Sequence, residues 1–275
     1  MPDWKFGYHA NCWGSLGGHP VGVTSIKDLF YKTFGDMPAA FSDIGRAGYA
    51  GVELFDGNLL DYEGRIPVLK EQLARAGLTL VAAYSGGNFI FPDVMAEEFW
   101  RIEKASVLAA EAGARHLVVG GGAKRSTGST EDDYKRLGDA LEKVVDVTAR
   151  HGLTAHYHPH LTTMAETPEQ VRKVFARTSI RFCPDTAHLA AAGGDPAAMI
   201  EEHYDRISYV HLKGWQRMPF AFTPLDTGDL AMDPIVDVLV RRKFSGWITV
   251  ELDSWADPAG GAARSLAYLK RKLPR

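Results

Sequence analysis

Short apolar runs alternate with stretches of helical periodicity along the whole of this chain, and the alternation repeats eight times. The runs occupy residues 6–10, 51–55, 80–84, 116–120, 153–158, 180–184, 207–212 and 247–252. Amphipathic stretches at 37–48, 64–77, 96–113, 131–152, 168–176, 196–204 and 233–243 predict helices between them, and 258–272 predicts one after the last run. Gly77, Gly113 and Gly152 each close a helix just before the next run, as expected of a C-cap that turns the chain. Strand alternating with helix implies a parallel sheet, because a parallel neighbour needs a crossover to return the chain to the same end. Eight such units in 275 residues, with no linker or composition break, predict a single (β/α)8 barrel domain over residues 1–275. The rival is an open six-stranded sheet with a dinucleotide site, but HANCWGSLGGHPVG after the first strand lacks G-x-G-x-x-G spacing. GGGAKRSTGST at 120–130 fails the phosphate-loop template, since no glycine directly precedes Lys124; it reads as a loop after strand four, where Lys124 or Arg125 could touch a ligand.

Composition narrows the function classes. An apolar content of 45% and a formal charge of −3, with basic residues dispersed, describe a soluble chain with no footprint for nucleic acid. Two cysteines, Cys12 and Cys183, are too few for a disulfide framework and suit a reducing compartment. The N-terminal MPDWKFGYHA has no signal pattern, and no run approaches the ~20 apolar residues that span a membrane. The expectation is a cytoplasmic enzyme with a small-molecule substrate, without nucleic-acid or membrane partners.

In a barrel of this kind the active site lies at the C-terminal ends of the strands, so polar residues there take the functional reading first. The strand-five stretch TAHYHPH alternates its side chains, which puts His156, His158 and, if the extension persists, His160 on one face. Strand six runs into Asp185 with His188 behind it. Strand two ends around Glu53, strand seven in His211 and Lys213, and strand eight in Glu251 and Asp253. Any one of these could be a satisfied core histidine or a buried ion-pair partner. Together they set two imidazoles and several carboxylates at one rim, which suits an open catalytic site for Mn, Co, Zn or Mg better than a closed structural zinc site.

The motifs HPHLTTMAET, CPDTAHLAAAGGDP, YVHLKGW and LDTGDLAMDPIVDVLVRRKFSGWITVELD resemble those of the xylose-isomerase-like TIM-barrel superfamily of sugar isomerases and epimerases, most nearly its inosose (2-keto-myo-inositol) dehydratases. The similarity is clearest from about residue 153 to 257; before that it rests on strand pattern and the VELF acid. The resemblance implies one divalent metal ion, Mn favoured, held by His158, Asp185, His211 and Glu251, and it implies that His188 and Arg217 approach the substrate. Lys213 and Trp13 are further candidates for substrate contact. Sugar epimerases of this superfamily usually carry glutamate where this chain has His158, which disfavours a symmetric exchange of protons between two carboxylates. DTAHLAAAGGD also resembles a segment of the endonuclease IV type of DNA-repair nuclease, but that reading wants a basic groove, and the charge of −3 and HLKG argue against it.

The chemistry implied is removal of a proton α to a ketone through a metal-stabilised enediolate, on a keto-polyol or keto-sugar. Glu53 and Glu251 are the candidate bases, and His160 and His188 the candidate acids for a departing β-hydroxyl. Elimination of water gives a dehydratase-like lyase, reprotonation a keto-sugar isomerase or epimerase, and loss of a glycosyl group a keto-glycoside-cleaving lyase; all three share the first step. The loops at 13–37 and 214–229 are long for their place, and Trp13, His19, Phe30, Tyr31, Phe34, Phe220 and Phe222 on them could cover a substrate or form a homo-oligomer contact.

Overall fold

In a computed structural model describing residues 4–16 and 30–273, the eight expected strands are all present. They are β1 Lys5–His9, β2 Gly51–Phe55, β3 Thr79–Gly87, β4 His116–Gly121, β5 Thr154–His158, β6 Arg181–Phe182, β7 Tyr209–Leu212 and β8 Trp247–Val250. All pair in parallel, in the order β6-β5-β4-β3-β2-β1-β8-β7, forming a nearly closed barrel. The seam between β6 and β7 is bridged at two points, Phe182 with Ile207 and Asp185 with His211. β6 is shorter than the apolar run at 180–184 suggests because Pro184 has no N–H for a ladder; its carbonyl instead accepts from His211 N at 2.9 Å.

Among the described residues eight helices cover the barrel: α1 Met37–Ala47, α2 Ile66–Arg75, α3 Pro92–Ala112, α4 Glu131–Arg150, α5 Pro168–Phe175, α6 Pro196–Glu202, α7 Met232–Arg241 and α8 Pro258–Lys272. Their starts follow from local chemistry. Proline occupies the first turn of α1, α2, α3, α5, α6 and α8, where its missing N–H costs nothing, and Thr130 and Thr167 form capping boxes with Asp133 and Gln170. On α4 the buried Leu137, Leu141 and Val144 form the stripe that faces the sheet.

Inside the barrel Phe55, Val81, Ala82, Tyr84, Val118, Cys183 and Tyr209 pack together, and polar side chains take over toward the C-terminal ends. Register sets His9 beside Glu53 and His158 beside Gly120. A side chain at 120 would place its Cβ 2.0 Å from the Tyr84 hydroxyl, so glycine there admits the Tyr84 ring beside His158. Periodicity did not reveal the short rim helices Asp56–Leu60 and Thr186–Ala191, or the hairpins Gly14–Leu16 with Thr33–Gly35 and Gly214–Gln216 with Ala221–Thr223. Strands of three residues carry too few side chains to show an alternation. His19 and most of the first long loop lie outside the described residues. Among the described residues no helix is long and apolar enough to cross a membrane.

Candidate metal and substrate site

β5, β7 and the segments just beyond β6 and β8 bring His158, His211, Asp185 and Glu251 to one point. His158 Nε2 lies 3.5 Å from Asp185 Oδ2 and 3.6 Å from Glu251 Oε2, which is 2.5 Å from His211 Nδ1. One donor atom from each of the four lies within 4.8 Å of the rest, an arrangement that could hold a metal ion. All four residues are buried, and His158 Nε2, Asp185 Oδ2, His211 Nδ1 and Glu251 Oε2 face one another and Lys213 without forming a well-aligned hydrogen bond. A buried polar atom left unsatisfied costs about 1–3 kcal/mol, so four aimed at a common point fit a cation between them.

The charge balance agrees. Asp185, Glu251 and Asp253 surround one ammonium, Lys213, which lies 3.1 Å from Asp185, 3.3 Å from Glu251 and 3.2 Å from Asp253, and Glu53 adds a fourth carboxylate beside His211. Burial would lower the pKa of Lys213, but Asp185, Asp253 and Glu251 outweigh it and hold the ammonium charged. Burial pushes Asp253 up to about 6 against the pull of Lys213. Asp185 and Glu251 are held low despite burial, chiefly by Lys213. The site therefore carries an excess of negative charge that a divalent cation would offset.

Behind the cluster, Glu53 is completely buried and accepts from the Tyr209 hydroxyl at 2.5 Å and pairs with His211 Nε2 at 2.9 Å. Burial would depress His211, but Glu53 and Glu251 outweigh it and lift it to about 10. His9 Nδ1 stands 3.5 Å from Glu251 and 3.8 Å from Glu53, and Asn11 donates to Glu251 at 3.2 Å and to Asp253 at 3.0 Å. His9, Asn11 and Tyr209 were not among the candidates read from sequence. His9 was findable, as a polar residue closing strand one; Tyr209, deep in an apolar run, looked like core.

Above the cluster opens a cleft of about 220 Å³ lined by Tyr31, Phe55, Tyr84, Gly121, His160, Thr162, Thr163, His188, Phe222, Glu251 and Asp253. The two imidazoles, ring centroids 3.7 Å apart, have definite proton positions. His160 Nδ1 lies 2.7 Å from Leu161 O, an acceptor, so that nitrogen carries the proton. Lys213 Nζ lies 3.3 Å from His188 Nε2; an ammonium can only donate, so the proton of neutral His188 sits on Nδ1, which is buried and unpartnered. Burial and the adjacent His158 push His160 down to about 4, and burial with His160 lowers His188. His156, on the same barrel face as His158, lies one layer deeper with Nε2 2.9 Å from His116 Nδ1.

Other candidates lie elsewhere. Arg217 is exposed, with its guanidinium over the Trp215 ring and its backbone N–H on Asp229. Trp13 donates from its indole to Asp43 on α1 at 2.8 Å. Lys124 pairs with Glu166 at 2.7 Å and Arg125 with Asp133 at 2.9 Å. None of the four lines the cleft.

The fold and sequence have known relatives. The xylose isomerase-like TIM barrel family matches residues 41–272. An inosose dehydratase of Clostridium beijerinckii is 26% identical over 294 aligned positions, 94% of this chain and 96% of that one. The rhizopine catabolism protein MocC of Rhizobium meliloti is 28% identical over 283 positions, 90% of this chain and 83% of that one. Among solved structures, a 3-keto-D-glucoside 4-epimerase from E. coli superposes with a TM-score of 0.74 at 19% identity, covering 98% of this chain and 100% of that one, which shows the shared fold. With eight parallel strands, a polar rim at their C-terminal ends and a family match over most of its length, this chain belongs to the xylose isomerase-like TIM-barrel family.

Proposed function

We propose that the protein is a divalent-metal-dependent lyase that eliminates water from a neutral keto-polyol of the inosose type. The observation that carries this is the convergence of four potential ligand atoms on His158, Asp185, His211 and Glu251, none in a well-aligned hydrogen bond, beneath a cleft that two neutral imidazoles enter. The names of the relatives that align along most of the chain support it. When bound, a divalent cation, with Mn favoured, would supply Lewis-acid polarisation of the substrate ketone and so acidify its α-proton.

The remaining work falls to the chain. Glu53 is engaged by Tyr209 and His211 and does not line the cleft, which supports a role in orienting His211. Glu251 is committed to the cluster, Lys213 and Asn11. His160, with its proton on Nδ1, leaves Nε2 as an acceptor for the α-proton. The C–H electrons then form the double bond as the C–O bond to the β-hydroxyl breaks. The proton taken by His160 passes to the departing oxygen and yields water, while neutral His188 donates a hydrogen bond to that oxygen from Nδ1. Among the described residues lining the cleft none is Lys or Arg, and Glu251 and Asp253 line it, so a phosphate or carboxylate on the substrate would be repelled. The apolar wall of Phe55, Tyr84 and Phe222 suits the C–H face of a polyol ring.

The test is proton NMR of 2-keto-myo-inositol with Mn-loaded enzyme in deuterated water. Loss of one water to a hydroxy-enone, the enol of a cyclic 1,2-diketone, is expected. Deuterium exchange with an isomeric product and no elimination would move the assignment to a keto-sugar isomerase or epimerase, and release of a sugar from a keto-glycoside in the same assay would move it to the glycoside-cleaving lyase.

A further inference from the structure

His160 sits two residues beyond β5 on a loop, where a ring would ordinarily sample several orientations. Its orientation is instead tied to a single peptide plane. The Leu161–Thr162 peptide presents its carbonyl to His160 Nδ1 at 2.7 Å, and its N–H donates to Glu166 Oε2 at 2.6 Å. A trans peptide is planar with its C=O and N–H pointing opposite ways, so holding one end aims the other. Thr162 has φ 69°, a left-handed conformation that a β-branched residue adopts only when its surroundings impose it. Two further contacts impose it: Lys124 Nζ holds the Glu166 carboxylate at 2.7 Å from the β4 side, and the Thr163 hydroxyl donates to His160 O at 2.7 Å. Donation into a carboxylate also polarises the peptide, making its carbonyl a stronger acceptor for the imidazole N–H.

We propose that Glu166, braced by Lys124, is a positioning residue that clamps the 161–162 peptide and thereby fixes His160 with its proton on Nδ1 and Nε2 free toward the cleft. Its catalytic consequence rests on the role given to His160 above; the clamp itself does not.

The test separates the two. Enzyme labelled with ¹⁵N-histidine and loaded with diamagnetic Zn²⁺ is examined by long-range ¹H–¹⁵N correlation, with the His160 signals assigned by their loss in His160→Gln. Wild type should show the Nδ1-protonated tautomer, Glu166→Ala a mixture of tautomers, and Glu166→Gln, which keeps an acceptor for Thr162 N–H, a pattern close to wild type. An unchanged His160 pattern in Glu166→Ala overturns the clamp, whatever the turnover. In steady-state assays of 2-keto-myo-inositol with Mn²⁺, Glu166→Ala should lose about 10–100-fold in kcat with KM nearly unchanged, as for loss of an orienting partner. Glu166→Gln should recover most of that loss, and Lys124→Ala should cost no more than about fivefold, as an exposed ion pair does. If His160→Gln itself turns over normally, the catalytic reading fails while the spectra still decide the clamp.

Discussion

Glu53 illustrates how much of this site is built by residues that do not line the cleft. Its carboxylate takes a hydrogen bond from Tyr209 and holds His211 Nε2, leaving His211 Nδ1 turned toward the four-residue cluster. An orienting carboxylate of this kind typically contributes 10–100-fold in metal affinity, so Glu53→Gln should weaken Mn²⁺ binding by about that factor in calorimetric titration. Affinity within twofold of wild type would remove the orienting role. The rim position of the four cluster residues was legible from sequence, because each lies at a strand end and is of a type that ligates metals, but the choice of these four among the rim residues came from the family resemblance. The use of Glu53 was not, since a lone acid in an apolar run reads equally as base, ligand or brace. Lys213 was legible as a rim residue but not as the single ammonium among three carboxylates, because that depends on Asp253 and Asp185 arriving from strands far apart in the chain.

At the scale of elements, the hairpin Gly214–Gln216 with Ala221–Thr223 gives the long segment after β7 a definite form. It carries Phe222 over the cleft, with its ring 4.6 Å from Lys213 Nζ and 5.0 Å from the His188 ring, while Phe220 at the turn is 57% exposed. Sequence offered these aromatics either to cover a substrate or to contact a second copy. Phe222 and Tyr31 line the cleft, whereas Phe220 and Phe34 face outward. Burying the C–H face of a polyol ring against Phe222 is worth about 1 kcal/mol, so Phe222→Ala should raise KM for 2-keto-myo-inositol by roughly 3–10-fold with kcat little changed. A fall in kcat at constant KM would instead assign Phe222 to holding Lys213 or His188. The strands, helices and their order were readable because periodicity is local. The hairpins, the two rim helices and the shortening of β6 depend on pairing and on Pro184, and local periodicity carries little of that.

At the scale of the whole molecule, the barrel interior departs from the usual filling of branched apolar side chains. His116, His156 and Tyr209 lie in contact below the cluster, His116 Nδ1 bonded to His156 Nε2 and both imidazoles packed at a tilt against the Tyr209 ring. Burial pushes His116 down to about 4 and His156 well below its ordinary range, so both are neutral in the folded barrel. In the unfolded chain they take up protons near pH 6.5. Between that pH and about 4 the unfolded state binds more protons, so stability falls as pH falls, by up to about 1.4 kcal/mol per pH unit for each imidazole. Asp56 works the other way. Burial raises it to about 7, against its bonds to Ser85 and Gly57, so between about 4 and 7 the folded state binds the extra proton and stability rises as pH falls. Urea denaturation of chelator-treated protein from pH 7.5 to 5 should therefore show an acid loss that His116→Gln makes shallower and Asp56→Asn makes steeper. Equal slopes in all three proteins would mean that neither group changes its proton affinity on folding, and that the acid response comes from the cluster at the rim.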